Sequence, residues 1–393
     1  MQPTWKKWGY SAVTLLLGWA LTGCGQQTGV QTPSQSSTNA KSNTAAASLA
    51  AQNNPVDPGA SLHGRPAPNF TLTDQFGKQV SLKQFRGKVV VLAFVDSQCT
   101  TICPLTTQSM MDALKQLGPQ ADSHIQLLGI DANPTAITVS DVKNYSQVHD
   151  MMNSWHFLTG SLAQLKSVWH NYYIYTGIVD GQIDHTPALY IIDSKGHEQF
   201  LYLTPSQYGA VSAQASVLAH DIAKFLPSSV QPKLQAVNYK QPAFKTTSVI
   251  QLPAETSSKA TSTKTKVSIG PGKPQLLAFF ASWVPQLKQE LEQLNTYAQA
   301  KMSPGVVGVD VGSTEPNATA IQTVLQQAGP LKYPIVVDKS GNIADTYKVQ
   351  DLMWLTLTDG KGHIIWSHDG WLPPSILNKD VQQALSQHGV KLN

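Results

Sequence analysis

The sequence predicts an α/β protein built from two tandem domains, each with three layers in the order α/β/α. Three observations lead to this prediction. The chain has 393 residues, which is more than one ordinary domain needs. Strand and helix patterns alternate along most of its length, as is typical of α/β folds. A polar stretch rich in Ser, Thr and Lys, at 228–266, divides this alternation into two halves and is the expected linker.

The first 60 residues are expected to lie outside the folded domains. Residues 1–24 have the pattern of a signal peptide, with two lysines before an apolar core that is too short to span a membrane. They end in Leu21–Cys24, which resembles a lipoprotein processing box. Cys24 is therefore the expected lipid anchor, on the extracytoplasmic face of the membrane. The alternative is a plain secretory signal. Residues 25–60 are small and polar, so a disordered tether is expected.

Composition narrows the classes of function. Hydrophobic residues make up 41% of the chain and charged residues 13%, and the formal net charge is +4. No Lys- or Arg-rich run is present, so a nucleic-acid partner is not expected. The chain has three cysteines. Cys99 and Cys103 would close too short a loop for a disulfide to stabilise the fold much, so a reactive or metal-binding pair is favoured over a structural one.

The first domain is predicted at 61–227, and each of its elements has a local signal. Val89–Val95 is apolar and β-branched, as in a strand buried on both faces. Pro104 favours a helix start, and Gly118 with Pro119 ends that helix. The remaining predictions are a strand at 125–131, helices at 140–150, from 161, and at 207–226, and a hairpin of 188–193 with 198–203. A parallel pair, a crossover helix and a terminal hairpin are typical of a thioredoxin-like domain.

The second domain, predicted at 267–393, repeats this scheme. Its predicted strands are 276–281, 306–311 and 335–337, with a hairpin of 355–358 and 364–367. Its predicted helices are 285–300, 320–328 and 374–388. The chain is thus expected to contain two thioredoxin-like domains.

The chemistry of the first domain is predicted to centre on two cysteines and one histidine. Cys99 and Cys103 follow a buried strand and open a helix, where the N-terminus stabilises the thiolate that binds soft metals and attacks disulfides. His185 precedes the strand at 188–192, at the end of the sheet where the thiols should lie. Two thiolates and one imidazole suit copper as Cu(I) or Cu(II), whereas structural zinc needs a fourth protein ligand. Thiol–disulfide exchange without metal is the alternative.

Several segments of the first domain resemble the Sco/SenC family: Gly87–Phe94, Cys99–Pro104, Phe157–Gly160, Tyr172–Tyr173 and Asp184–Thr186. Its members are membrane-tethered thioredoxin-like proteins associated with maturation of the binuclear copper centre of cytochrome c oxidase. The resemblance implies copper binding by Cys99, Cys103 and His185, a disulfide cycle between the two cysteines, and Asp184 as either the residue that orients His185 or a turn residue. The implied partner is the copper-binding oxidase subunit or another thiol–disulfide protein.

Three further positions refine this picture. Pro187 stands where thioredoxins place a cis-proline beside their cysteines, so a cis bond is expected there. Peroxiredoxins need a threonine and a proline before their reactive cysteine, and Asp96 and Leu92 occupy those positions here. Peroxidase activity is therefore not expected.

The second domain is predicted to keep the fold without the thiols. Phe279–Leu287 resembles the F-x-A-x-W-C-P-x-C stretch of membrane-anchored thioredoxins of the TlpA type, with Val284 and Leu287 in place of the cysteines. Met353 replaces the cis-proline. Such a domain is either a spacer or a docking module that offers its Trp283–Val284 and Met353–Trp354 surfaces to a partner protein or to the first domain.

Three functions remain open at this point. The first is a copper metallochaperone that uses Cys99, Cys103 and His185 and delivers copper to an oxidase subunit or keeps its cysteines reduced. The second is a general thiol–disulfide oxidoreductase without a physiological metal. The third is a binding module in which the cysteine pair is a static disulfide.

Overall fold

The computed structural model describes residues 55–205, 207–239, 244–255 and 266–392. The predicted signal peptide, with Cys24, and most of the predicted tether lie outside these residues. Within the described ranges, no helix is both long and apolar enough to cross a membrane.

The first domain contains ten strands and four α-helices among the described residues. The strands are β1 (Ala60–Pro66), β2 (Thr71–Thr73), β3 (Gln79–Ser81), β4 (Val89–Val95), β5 (Ile125–Asp131), β6 (Trp155–Leu158), β7 (Thr176–Val179), β8 (Gln182–His185), β9 (Ala188–Ile192) and β10 (His197–Leu203). The helices are α1 (Cys103–Leu117), α2 (Val139–Val148), α3 (Leu162–Asn171) and α4 (Val211–Ala223), the last preceded by a 3-10 turn at Tyr208–Ala210.

A six-stranded sheet in the order β1-β10-β9-β4-β5-β6 forms the centre of this domain. β4, β5 and β6 are parallel, and β9 runs antiparallel to β4. Every residue of β4 is buried, because side chains alternate between two covered faces of the sheet. Val91 and Ala93 join the core that includes residues of α1 and α4, whereas Leu92 and Phe94 join the core that includes residues of α3.

The second domain has seven strands and four α-helices among the described residues. The strands are β11 (Ile250–Pro253), β12 (Lys266–Ile269), β13 (Gln275–Phe280), β14 (Gly305–Asp310), β15 (Ile335–Val337), β16 (Trp354–Thr358) and β17 (Ile364–Asp369). The helices are α5 (Leu287–Ala298), α6 (Ala320–Ala328), α7 (Asn342–Thr346) and α8 (Pro374–Gln387). The main sheet has the order β15-β14-β13-β16-β17, with β13, β14 and β15 parallel.

The two sheets share one plan. In each, a buried strand lies between a parallel neighbour and an antiparallel hairpin, with β4 between β5 and β9 in the first domain and β13 between β14 and β16 in the second. The predicted α/β class and the two thioredoxin-like domains are therefore confirmed.

Four local predictions differ from the structure. The predicted tether extends to residue 60, but Val56 within it is 1% exposed and belongs to the core of the first domain. The β7–β8 hairpin was not predicted, because its short strands are mostly exposed and lack an apolar pattern. Part of the predicted linker at 228–266 is structured, since β11 pairs with β12. The bond before Pro187 is not cis; the one cis peptide bond among the described residues joins Leu352 to Met353, at the corresponding place in the second domain.

Candidate dithiol and histidine site

The loop between β4 and α1 holds the first thiol near the N-terminus of α1. Cys99 lies four residues before Cys103, the first residue of α1, and its Sγ accepts a hydrogen bond from the backbone N–H of Cys103 at 3.4 Å. No side chain caps this helix otherwise, so the sulfur serves one of the N–H groups that the first turn leaves without an intrahelical partner. Pro104 follows in the first turn, where its missing N–H costs nothing.

The two thiols differ in acidity. The pKa of Cys99 is lowered to about 7, chiefly by a hydrogen bond from the Cys103 side chain and also by one from the Thr101 hydroxyl. The pKa of Cys103 is raised well above its usual value, first by burial and then by its bond to Cys99. Near neutral pH, Cys99 is therefore the nucleophile and Cys103 holds a proton beside it.

His185 completes the cluster from β8. Its Nε2 lies 3.6 Å from the Cys103 sulfur, and its Nδ1 lies 3.1 Å from the backbone carbonyl of Thr186. We assign the proton to Nδ1, which can donate to that carbonyl, and this leaves the Nε2 lone pair directed at the thiol. Burial lowers the pKa of His185, so the neutral ring that a metal requires is favoured.

Two contacts thus link the three predicted site residues: one joins Cys99 to Cys103, and the other joins Cys103 to His185, which lies 82 residues further along the chain. The structure holds both cysteines as free thiols. Among the described residues, no group of three His, Cys, Asp or Glu side chains stands in metal-holding geometry. In this structure the Cys99 sulfur is instead turned to the Cys103 N–H and the Thr101 hydroxyl.

Asp184 does not have either of the roles considered for it. It is an exposed residue within strand β8, paired with Gly177 of β7. The orienting group for His185 is the carbonyl of Thr186, on the other side of the histidine.

The loop that carries Cys99 is held by a polar network that the sequence patterns did not predict. Asp96 accepts hydrogen bonds from the Gln98 N–H at 2.8 Å and from the Asn133 side-chain amide at 2.7 Å, and its carbonyl accepts from the Cys99 N–H. Asp131 accepts from the N–H groups of Ser97 and Asn133. An aspartate at the carboxyl end of each of two adjacent parallel strands was the available signal.

The corresponding corner of the second domain is apolar. Val284 and Leu287 are 6% and 2% exposed, and Met353 is 3% exposed. The matched cysteine positions therefore belong to a core and offer no nucleophile. The adjacent Trp283 lies against His149 of the first domain, with ring centroids 5.2 Å apart.

Two parts of the chain match models of known protein families. Residues 60–223 match the model of the SCO1/SenC family, and residues 237–370 match that of the AhpC/TSA family. The resemblance of the first domain to the Sco family is therefore confirmed, and so is the thioredoxin-like character of the second. The second range contains no cysteine.

Curated relatives agree with these matches. The chain is 31% identical over 135 residues to SCO2 of Saccharomyces cerevisiae mitochondria, which is 32% of this chain and 44% of that protein. It is 30% identical over 92 residues to the SCO1 homologue of Bacillus subtilis, which is 23% of this chain and 47% of that protein. It is also 33% identical over 89 residues to the thiol-disulfide oxidoreductase ResA of Bacillus cereus, which is 22% of this chain and 47% of that protein. The matched part spans about half the length of these relatives.

Solved structures to which part of this chain is similar include apo Sco1 of Thermus thermophilus, at 23% identity and a TM-score of 0.38, covering 43% of this chain and 96% of that one. They also include ScoI of Bradyrhizobium japonicum with copper bound, at 26% identity and a TM-score of 0.36, covering 41% of this chain and 99% of that one.

Proposed function

We propose that this chain, whose first domain is of the SCO1/SenC type, is a lipid-anchored extracytoplasmic protein that binds copper through Cys99, Cys103 and His185. It also cycles a disulfide between the two cysteines. Its role is in maturation of the copper centre of cytochrome c oxidase, with the copper-binding subunit of that enzyme as partner. Copper is the cargo, and Cys24 is the lipid attachment site.

One observation carries this proposal: the lone pair of His185 Nε2 is directed at a thiol that is hydrogen-bonded to a second thiol. Two sulfurs and one imidazole are soft donors that select copper over hard cations. Because a backbone carbonyl holds Nδ1, the histidine is oriented as a ligand before metal arrives.

The dithiol also supports a balanced exchange of electrons. The Cys99 thiolate attacks one sulfur of a partner disulfide and forms a mixed disulfide, and the partner's other sulfur leaves as a thiolate. Cys103 then loses its proton and attacks the Cys99 sulfur, which releases the partner's second thiolate. Two electrons and the Cys103 proton pass to the partner, one of whose sulfurs is left as a thiol and the other as a thiolate, and Cys99 and Cys103 are left oxidised as a disulfide.

A general thiol–disulfide oxidoreductase is the second candidate function. The lowered pKa of Cys99 favours it, because this value puts the attacking thiol near ambient pH. The identity to a protein named thiol-disulfide oxidoreductase ResA also supports it. In this case His185 would have no ligand role.

The test is a titration of the reduced chain with Cu(I) and Cu(II), in a Cys24→Ser background, beside His185→Ala. We expect the variant to lose at least about 100-fold in Cu(II) affinity, since changes to groups that merely orient a ligand already cost 10–100-fold. His220→Ala is the matched control, because His220 also has its Nδ1 near a backbone carbonyl, at 2.8 Å, but lies outside the site.

Each candidate has its own outcome in this experiment. Unchanged Cu(II) affinity in His185→Ala, with a Cys99–Cys103 disulfide that is readily reduced and reformed, would overturn the copper proposal in favour of the oxidoreductase. If serine at Cys99 or at Cys103 changed neither copper binding nor disulfide exchange, the pair would be a static element of a binding module.

A further inference from the structure

The face of the second domain that has lost its cysteines lies against the first domain beside the thiols. Trp283, which precedes the first lost cysteine position, contacts the His149 ring. Asp351, two residues before Met353, accepts a hydrogen bond at 3.3 Å from the hydroxyl of Thr100, the residue that follows Cys99. Both segments that would surround a thioredoxin dithiol therefore contact the domain that still has one.

The contact is apolar at its centre. Leu105 of α1 and Val211 of α4 belong to the core cluster of the second domain rather than to that of the first. Tyr208 belongs to the same cluster and is 2% exposed. An interface formed from core-like side chains is stabilised by burial, which favours a defined arrangement of the two domains over free motion.

A polar clamp lies at one edge of this interface. Asp345 of α7 accepts hydrogen bonds from the backbone N–H groups of Tyr208 and Gly209, at 2.8 and 2.9 Å. These two groups open the helical segment that continues into α4, so a carboxylate of the second domain caps a helix of the first. Asn317 adds a hydrogen bond at 3.1 Å to the carboxylate of Asp150.

We propose that the second domain is a built-in occupant of the docking face of the dithiol, and that it admits small reactants to Cys99 while holding off large protein partners until the two domains separate. The inference rests on the proposed function only in that Cys99 must be a reactive thiol. Cys99 itself remains partly exposed, whereas the adjacent Thr100 is in contact with Asp351 of the second domain.

The geometry provides a wedge with which to test this. A Cβ atom added at Gly209 would lie 2.5 Å from the Asn342 Oδ1 and 2.8 Å from the Asp345 Oδ2, both across the interface. Gly209→Ala should therefore push the domains apart. Gly305→Ala is the matched control, because a Cβ atom there meets only the Pro274 carbonyl, at an ordinary 3.7 Å.

The experiment compares two maleimides on the full chain in a Cys24→Ser background, with labelling at Cys99 followed by mass spectrometry. One is N-ethylmaleimide, and the other carries a long polyethylene glycol chain. If the separated state is populated at about 0.1–10%, the large reagent should react about 10- to 1,000-fold more slowly than the small one in the parent chain. Gly209→Ala should raise the large-reagent rate about tenfold or more and change the small-reagent rate by less than about twofold.

A second variant guards against misfolding of the first. Asp351→Ala removes the bond to Thr100 without adding volume, and it should also narrow the difference between the two reagents. Equal rates for both reagents in the parent chain, or an unchanged ratio in both variants, would overturn the inference. Failure of the small reagent to label Cys99 in any chain would instead count against the proposed thiol chemistry.

Discussion

In the first domain, β4 ends in a loop that carries Cys99 and leads to Cys103 at the start of α1. In the second, β13 ends in a loop that carries Val284 and leads to Leu287 at the start of α5. The first loop is held by the carboxylates of Asp96 and Asp131. The second is held by Glu315, which accepts from the Ser282 N–H and hydroxyl. The same strand-to-helix corner is therefore formed with or without thiols.

The largest expected effect is a loss of unfolding free energy on substitution in the core of the second domain. Leu287→Ala removes a side chain that is 2% exposed and belongs to the core. We expect a loss of about 2–5 kcal/mol in unfolding free energy, from lost burial and the cavity left behind. Cys103→Ala, at the corresponding position of the first domain, should cost less, because it removes a smaller side chain. Denaturant unfolding of both variants measures this, and equal losses would contradict the contrast.

A pH dependence should follow from the contact between the domains. Burial lowers the pKa of His149 to about 3, so the folded state binds fewer protons than the unfolded state between that value and the usual 6.5. Its contribution to stability is complete above pH 6.5 and falls with pH below it, by about 2 kcal/mol at pH 5.

The measurement is the unfolding free energy of the parent chain and of His149→Gln from pH 7 to pH 5. The variant should lose less stability over this range than the parent. If the parent chain and the variant lost the same unfolding free energy between pH 7 and pH 5, His149 would have the same pKa in the folded and the unfolded chain, and the prediction would be wrong. His124→Gln is a control at a surface histidine of the same domain.

The acidity of Cys99 should depend on its neighbour. The pKa is lowered to about 7 mainly by the Cys103 side chain, so Cys103→Ala should move the midpoint of Cys99 alkylation toward the ordinary value, above pH 8. The thiolate fraction at pH 7 then falls, but the stronger nucleophilicity of the remaining thiolate offsets part of the loss, and the net rate should drop about 5- to 10-fold. A pH–rate profile with iodoacetamide tests this, and an unmoved midpoint would assign the shift to the helix N-terminus instead.

The smallest effect should come from a helix cap. Ser161 accepts a hydrogen bond from the Gln164 N–H and its backbone is served in return by the Gln164 side chain, so α3 begins with a complete capping box. Ser161→Ala should cost about 1 kcal/mol in unfolding free energy. In the second domain the N-cap residue of α5 is Gln286, which is in a left-handed conformation and makes no side-chain cap hydrogen bond, so Gln286→Ala should leave cap hydrogen bonds unaffected. Urea midpoints of the two variants compare these helix starts.

Local signals in the sequence predicted most of the fold. The run Val89–Val95, Pro104 and the Ser161 capping box each mark an element that the structure has at that place. These signals are strong because they depend on neighbours in the chain. The β7–β8 hairpin and β11 were not predicted, because pairing with another strand stabilises them and their own patterns are weak.

The sequence predicted which residues form the candidate site, but it did not predict the hydrogen bonds that hold them. Cys99, Cys103 and His185 could be named from position along predicted strands. That Thr186 rather than Asp184 orients the histidine depends on the direction of β8, which no local pattern fixes. The network of Asp96, Asp131 and Asn133 depends on two strands lying side by side.

The cap that Asp345 places on the helix of the first domain has a consequence for modularity. Two domains of similar fold that follow one another in a chain are often treated as independent units. Here Asp345 of the second domain accepts hydrogen bonds from two backbone N–H groups of the first domain. The second domain also covers Leu105 and Val211 of the first. A first domain cut free at 227 would expose this apolar surface and an uncapped helix. The two domains are therefore expected to be more stable together than either would be alone.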